Sequence, residues 1–226
     1  ARELGVNLAL VNGSGPKRVQ WAAPTVAASF CLKPSANYIL VENIYFKPVI
    51  YVTSGVPSAL RLSGSNWLTV RNCRFQGQTG SYTAIYSPVC DSDNVHISDC
   101  EFYYLNTATN GIAILGVEAG GLSYSGWTIE WCKFHSCLKD IDMNMRCGTI
   151  VDCVFPEYGV NPAGAIAQLL SLGIDLSGTS SGANVVTRNL LGGTYGSTLY
   201  KVGASGDEWA GNFNVITGGL TAANPA

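Results

Sequence analysis

The sequence predicts an all-β fold, a parallel solenoid of strand–corner–strand units laid one on another. Three observations predict it. A phrase of about ten residues recurs along the chain, its apolar residues alternate with polar ones, and each copy holds one extra residue at the same place. Period-two alternation puts the apolar side chains on one face of a strand. One residue inserted between two such runs turns the chain through a corner.

The phrase is clearest at residues 66–75, Asn-Trp-Leu-Thr-Val-Arg-Asn-Cys-Arg-Phe. Leu68 and Val70 share a face, Asn72 breaks the alternation, and Cys73 and Phe75 resume it out of phase. Copies stand at residues 37–46, 94–102, 126–134 and 147–155, with a weaker one at 184–191. The predicted corner column is Asn43, Asn72, Asp99, Trp131, Asp152 and Asn189. Asn suits a corner because its short side chain tolerates the left-handed region and bonds its own backbone. The column after it, facing inward, is Ile44, Cys73, Cys100, Cys132, Cys153 and Leu190. Phe46, Phe75, Phe102, Phe134 and Phe155 close the five strong copies, 29, 27, 32 and 21 residues apart. A fixed core with a variable period implies stacked units joined by elastic loops.

The repeated Val-x-Asn-Cys-x-Phe-like phrase resembles the right-handed parallel β-helix of the pectate-lyase and phage-tailspike type, over roughly residues 30–205. The resemblance implies about six rungs with extended N- and C-terminal segments. The chain then divides into an N-terminal arm or cap (1–30), the parallel β-helix (31–205) and a C-terminal cap and extended tail (206–226). That fold hosts lyases, hydrolases and inert virion parts, so the resemblance speaks for the fold more than for an activity.

Composition agrees. The 226 residues are 47% hydrophobic and only 12% charged, the balance of a solenoid with long internal ladders. A net charge of −2 argues against a nucleic-acid partner, which needs a basic face. No apolar run approaches the roughly 20 residues of a membrane span. Of the eight cysteines, Cys73, Cys100, Cys132 and Cys153 fill one inward column, where a thiol acts as a small, soft hydrophobe. Neighbouring strands about 4.8 Å apart permit disulfides there without demanding them, and the reduced ladder is the expectation. Cys31, Cys90, Cys137 and Cys147 are less regular. Zinc is not expected, since Cys132 and Cys137 have no matching pair. No cofactor is implied.

Taken in order, residues 5–11 form one alternating run and 12–16 a turn cluster. Short strands are expected at 49–52, 59–64, 82–86, 111–116, 138–145, 173–178 and 197–202. The longest insertion spans 156–171, with a short helical turn at 165–172. After Gly203 the pattern fades into a capping segment, and residues 222–226 have no core-forming content.

The search for chemistry gives three candidates. The outward column Tyr45, Arg74, Glu101, Lys133 and Val154 alternates in charge, as an inter-rung salt-bridge ladder or as a sugar-facing surface. Asp140 and Asp142, at i and i+2 on a strand, point the same way. They are either solvent decoration beside Ile141 and Met143 or paired carboxylates at the spacing a glycosidase uses, with Glu130 joining them. Tyr82, Tyr86, Tyr103, Tyr104, Tyr124 and Trp127 cluster in the middle rungs, for packing, for an interface or for stacking on glycan rings. The acid-bearing segments expected of a polygalacturonase-like β-helix are missing. Of a pectate-lyase-like site, Asp140 and Asp142 with Arg146 are only a faint echo. His96 and His135 are single residues on different rungs.

These observations lead to the expectation of a non-enzymatic virion structural protein. It decorates or cements a phage capsid or belongs to a tail, forms a homotrimer and grips other virion proteins through its terminal arms. The alternative is a glycan-binding or glycan-cleaving tailspike-type module acting on a host glycan, with Asp140, Asp142 and Glu130 as its acids.

Overall fold

A computed structural model describes residues 9–10, 19–22, 30–47, 58–77, 82–105, 111–117, 120–155, 170–192, 195–201, 206–214 and 219–220. The expectations for residues 5–8, 11–16, 49–52 and 222–226, and for 156–169 of the insertion, lie outside the described residues; of the helical turn expected at 165–172, residues 170–172 instead begin the strand Leu170–Asp175, extended by pairing with Lys139–Met143.

The fold is all-β, with parallel strands in stacked sheets, an arrangement compatible with a parallel β-helix. Each sequence repeat lays one strand on each of three sheets. The first sheet is ordered along the chain as Leu40–Glu42, Thr69–Arg71, His96–Ser98, Thr128–Glu130, Thr149–Val151, Val185–Thr187 and Glu208–Ala210. The second sheet stacks Val19–Ala22, Ile44–Lys47, Arg74–Gln76, Glu101–Tyr103, Lys133–His135, Val154–Phe155, Leu190–Leu191 and Phe213–Asn214. Antiparallel strands Ala9–Leu10 and Gly219–Leu220 cover its two edges, which blunts the template an open edge offers to other chains. The third sheet stacks Phe30–Leu32, Ser58–Arg61, Tyr82–Ser87, Gly111–Gly116, Lys139–Met143, Leu170–Asp175 and Tyr195–Lys201.

Register puts like on like. Val41, Val70, Ile97, Ile129, Ile150 and Val186 form one buried column of the first sheet. In the second sheet the rings of Phe46, Phe75, Phe102, Phe134 and Phe155 stack with centroids 4.8–4.9 Å apart and planes within 6°. The strand spacing sets that distance, and each aromatic pair adds about 0.5–1.5 kcal/mol beyond its buried area.

The cysteine ladder has one repeated geometry. Cys73, Cys100, Cys132 and Cys153 are buried, and each thiol points at two carbonyls. One belongs to its own repeat, two residues back, at 3.2–3.3 Å. The other belongs to the preceding repeat, at 3.6–3.7 Å. None of the eight cysteines is joined in a disulfide.

Each repeat also has two corners in the left-handed region. Asn43, Asn72, Asp99, Trp131, Asp152 and Arg188 have φ of 52–59° at the corner joining the first sheet to the second. The sequence reading put Asn189 at the last of these, one residue too far. Asn189 is buried and occupies the inward column in place of Leu190, which pairs with the outward Val154. The displacement has a physical source. Arg188 holds the corner from outside by a bidentate bond to Asp152, 2.8 Å from Nε and 2.6 Å from Nη2, so an asparagine is not needed there.

The corner leading into the first sheet is Tyr38, Trp67, Asn94, Gly126, Cys147, Ala183 and Gly206. Just before it runs a side-chain ladder. The Asn66 N–H donates to Asn37 Oδ1 at 3.0 Å, the Asp93 N–H to Asn66 Oδ1 at 2.7 Å, and the Ser125 N–H to Asp93 Oδ1 at 2.8 Å. The asparagines that open the first two phrases therefore satisfy backbone donors of the next repeat.

The strand pattern continues past residue 205. Glu208–Ala210 pairs with Val185–Thr187, Phe213 pairs with Leu190, Gly211 turns the corner at φ 65°, and Asn212 is buried. Residues 207–213, Asp-Glu-Trp-Ala-Gly-Asn-Phe, are thus a further copy of the phrase, in the segment the sequence reading gave to a cap.

Candidate functional site

The outer face of the first sheet carries a groove. With Val70, Ile97 and Ile129 turned inward, the residues on either side of them lie on the outer face: Thr69 and Arg71, His96 and the covered Ser98, Thr128 and Glu130. Trp67, Thr69, Asn94, Val95, His96, Gly126, Thr128 and Glu130 line an open depression of about 420 Å³. Trp67 forms its wall because the next residues on its corner, Asn94 and Gly126, are small. Gly126 has φ 66°, and a Cβ there would stand 2.6 Å from Asn94 Oδ1. Across the floor, His96 Nε2 lies 2.8 Å from Glu130 Oε1, an ion pair whenever the imidazole is protonated. Two threonine hydroxyls, an imidazole and a carboxylate thus face outward beside an indole ring.

A second polar cluster lies on the outer face of the second sheet. Glu101 joins two neighbouring strands, with Oε2 at 2.7 Å from Arg74 Nε and Oε1 at 3.0 Å from His135 Nε2. These partners hold its carboxyl below its ordinary pKa, the His135 hydrogen bond most of all. The Arg74 guanidinium lies over the Tyr103 ring at 4.4 Å and the Tyr45 ring at 5.7 Å. The Tyr103 hydroxyl lies 2.9 Å from Tyr45 Oη and 3.0 Å from Gln76 Oε1, and the Tyr45 hydroxyl donates to the same Gln76 oxygen. Tyr103 is buried, and burial pushes its hydroxyl pKa up. The predicted charge ladder is therefore partly realised, as the Arg74–Glu101 pair reinforced by aromatic rings.

The predicted acids are placed differently from one another. Asp142 is half-buried, and the Lys139 Nζ donates to its Oδ2 at 2.6 Å. Asp140 is only 3% exposed. Alternation lapses at this point, because the ladder pairs Lys139 with Ile112 and Ile141 with Ile114 and skips the residue between. The same position in earlier repeats holds Ala59, Ala84 and Ala113, all wholly buried. Asp140 lies near the buried Cys137, whose thiol pKa is raised by burial and further by the Asp140 charge. The two aspartates do not share one solvent face, and Glu130 stands on the first sheet while both aspartates stand on the third. Of the middle aromatics, Tyr103, Tyr124 and Trp127 are buried in packing. The Tyr124 hydroxyl donates to the Ser87 carbonyl at 2.6 Å and Trp127 Nε1 to the Ser92 carbonyl at 2.7 Å. The Tyr82 side chain lies outside the described residues.

Trp67 is the site residue that sequence reasoning missed. Its signal was present: a bulky aromatic at a position filled by Asn94 and Gly126 in the next two repeats. Comparison with known protein families, characterised proteins and solved structures finds no match.

Proposed function

We propose that the three sheets close around one interior as a right-handed parallel β-helix, and that this rod serves without catalysis as a structural part of a virion. In this reading it is a capsid-decorating, cement or tail-associated protein, assembled as a homotrimer and held to its neighbours by its terminal segments. The observation that carries the reading is the axial register of the interior. Five phenylalanine rings and four thiols repeat the same contacts from strand to strand, the construction of a stiff element. The acids support it from the other side. A buried Asp140 and an Asp142 bound to Lys139 are poorly placed to flank a glycosidic bond. The viral context rests on the resemblance of the repeated phrase to tailspike-type β-helices.

Incubation with bacterial surface polysaccharide, read as new reducing ends or unsaturated products, tests it. No turnover is expected. Turnover that Asp142→Asn abolishes would replace this reading with the enzymatic one. Sedimentation equilibrium is expected to give the mass of three chains, and a monomer at all concentrations removes the trimer.

A further inference from the structure

The outer face of the third sheet carries opposite charges towards its two ends. Arg61, Tyr86, Leu115, Asp142 and Asp175 stand in register on five successive strands. The residue before each of them, Leu60, Ile85, Ile114, Ile141 and Ile174, is wholly buried, so the five face outward, and each is partly exposed. At one end the Arg61 guanidinium lies over the Phe30 ring at 5.9 Å and the Tyr86 ring at 5.6 Å. At the other, Asp175 Oδ1 accepts from the Ser177 N–H at 3.1 Å and from the Ser177 hydroxyl at 2.6 Å. Each charge is thus held in place by neutral groups, and neither forms an ion pair among the described residues. Asp142 is already matched by Lys139. Between the two ends the face is apolar, with Leu115 and, two residues on, the 37% exposed Val117. Lys201, next to Asp175 in register, lies beyond the five.

The spacing is symmetric. Leu115 is two strands from Arg61 and two from Asp175, about 10 Å each way at about 4.8 Å per strand. A two-fold axis through Leu115, along the strand direction, lays Arg61 of one copy on Asp175 of another, twice over, and Leu115 on Leu115. A patch that complements itself in this way suits an isologous contact. Copies running in the same direction would set Arg61 against Arg61 and Asp175 against Asp175, so the charge order selects the antiparallel arrangement.

We infer that this face binds a second copy of the chain, antiparallel, through two Arg61–Asp175 ion pairs around a centre of Leu115 and Val117, with Tyr86 facing Asp142. The planar guanidinium, already fixed by two rings, offers a carboxylate its paired donors. The patch is about 20 Å long and only two side-chain columns wide, well short of the roughly 800 Å² per partner of a standard interface. The contact is accordingly weak and forms where copies are crowded. It rests neither on a viral setting nor on a three-chain mass.

The test is cross-linking of the full chain at high concentration, with diamide as oxidant. Cys90→Ser and Cys147→Ser first remove the two thiols that are not buried. In that background Leu115→Cys is expected to give a disulfide-linked dimer, because the two-fold brings position 115 against itself, and Val117→Cys is the second reporter. Arg61→Cys alone is expected to stay unlinked, whereas mixed with Asp175→Cys it links to it. Adding Arg61→Glu to Leu115→Cys is expected to slow linking by about tenfold, since by symmetry the change acts twice on pairs worth up to about 1 kcal/mol each. Asp175→Arg on top of it is expected to restore the rate. No linked dimer from either reporter, self-linking of Arg61→Cys as fast as the mixture, or no recovery with Asp175→Arg overturns the inference. The three-chain mass and the absence of turnover are read in other experiments and stand or fall separately.

Discussion

Asn189 donates from Nδ2 to Asn212 Oδ1 at 2.9 Å, and the Asn189 N–H donates to the same oxygen at 3.0 Å. One repeat earlier, the Cys153 N–H donates to Asn189 Oδ1 at 2.9 Å, and Asn189 Nδ2 donates to the Ile150 carbonyl at 3.0 Å. The inward column thus changes from thiols to amides without leaving a buried group unmet. Asn189→Ala strands the Cys153 N–H in a dry interior. A buried group left unmet costs about 1–3 kcal/mol, and a loss of about that size is expected. Urea unfolding followed by circular dichroism measures it, and an unmoved midpoint would mean that water reaches the column.

The same column shows what was readable beforehand. Cys73, Cys100, Cys132 and Cys153 align in sequence because each sits between a corner residue and a phenylalanine, and period two does the rest. Asn189 defeats that logic. A buried asparagine and a corner asparagine look identical until the partner of each amide is known, and Asn212 lies in a copy that lacks the usual Val-x-Asn spelling. Trp67 was hidden for a related reason. Its apolar character suggests a core residue, while its backbone conformation, which follows from register with Asn94 and Gly126, makes it a corner. Asp140 was misplaced because alternation predicts a face only while the strand stays regular.

Phe102 is the centre of the ring stack, with Phe75 on one side and Phe134 on the other, both at 4.9 Å. Phe102→Ala removes two stacking contacts and opens a cavity that neighbouring strands, fixed by their hydrogen bonds, are slow to fill. Cost is expected at about 3–5 kcal/mol. Phe102→Leu keeps most of the volume and is expected to cost clearly less. Equal losses for the two variants, measured by chemical unfolding, would show that packing volume is not what the stack supplies.

The thiols give a chemical map of the interior. Cys147 is exposed and Cys90 half-buried, whereas Cys31, Cys73, Cys100, Cys132, Cys137 and Cys153 are buried. Burial pushes the Cys31 thiol up to about 12, which leaves almost no reactive thiolate at neutral pH. A thiol reagent is expected to modify Cys147 first and Cys90 more slowly, with the other six reacting only after denaturation. Mass mapping of labelled peptides checks this, and early labelling at Cys132 would place its column outside the core. Cys100→Asp, which buries a charge between two neighbouring thiols, is expected to yield no cooperative fold.

Acid should loosen the second sheet through Glu101. Its folded pKa lies below the ordinary 4.5 because of the His135 hydrogen bond first, with the Arg74 and Lys133 charges adding to it. A depressed carboxyl binds its proton more readily in the unfolded chain. Its contribution is therefore fully present above about pH 4.5 and is lost as pH falls through the folded-state value. Glu101→Gln removes that contribution, so the variant is expected to be less stable at pH 6 and to lose less on acidification than wild type. Asp152, held low by the Arg188 hydrogen bond, is the control, since that guanidinium is 63% exposed at the surface. Screening leaves such a pair little to give, and Asp152→Asn should follow the wild-type acid curve. Urea midpoints at a series of pH values between 6 and 3 measure both. A Glu101→Gln curve parallel to wild type would mean that the Glu101 carboxyl titrates alike in the folded and unfolded chains.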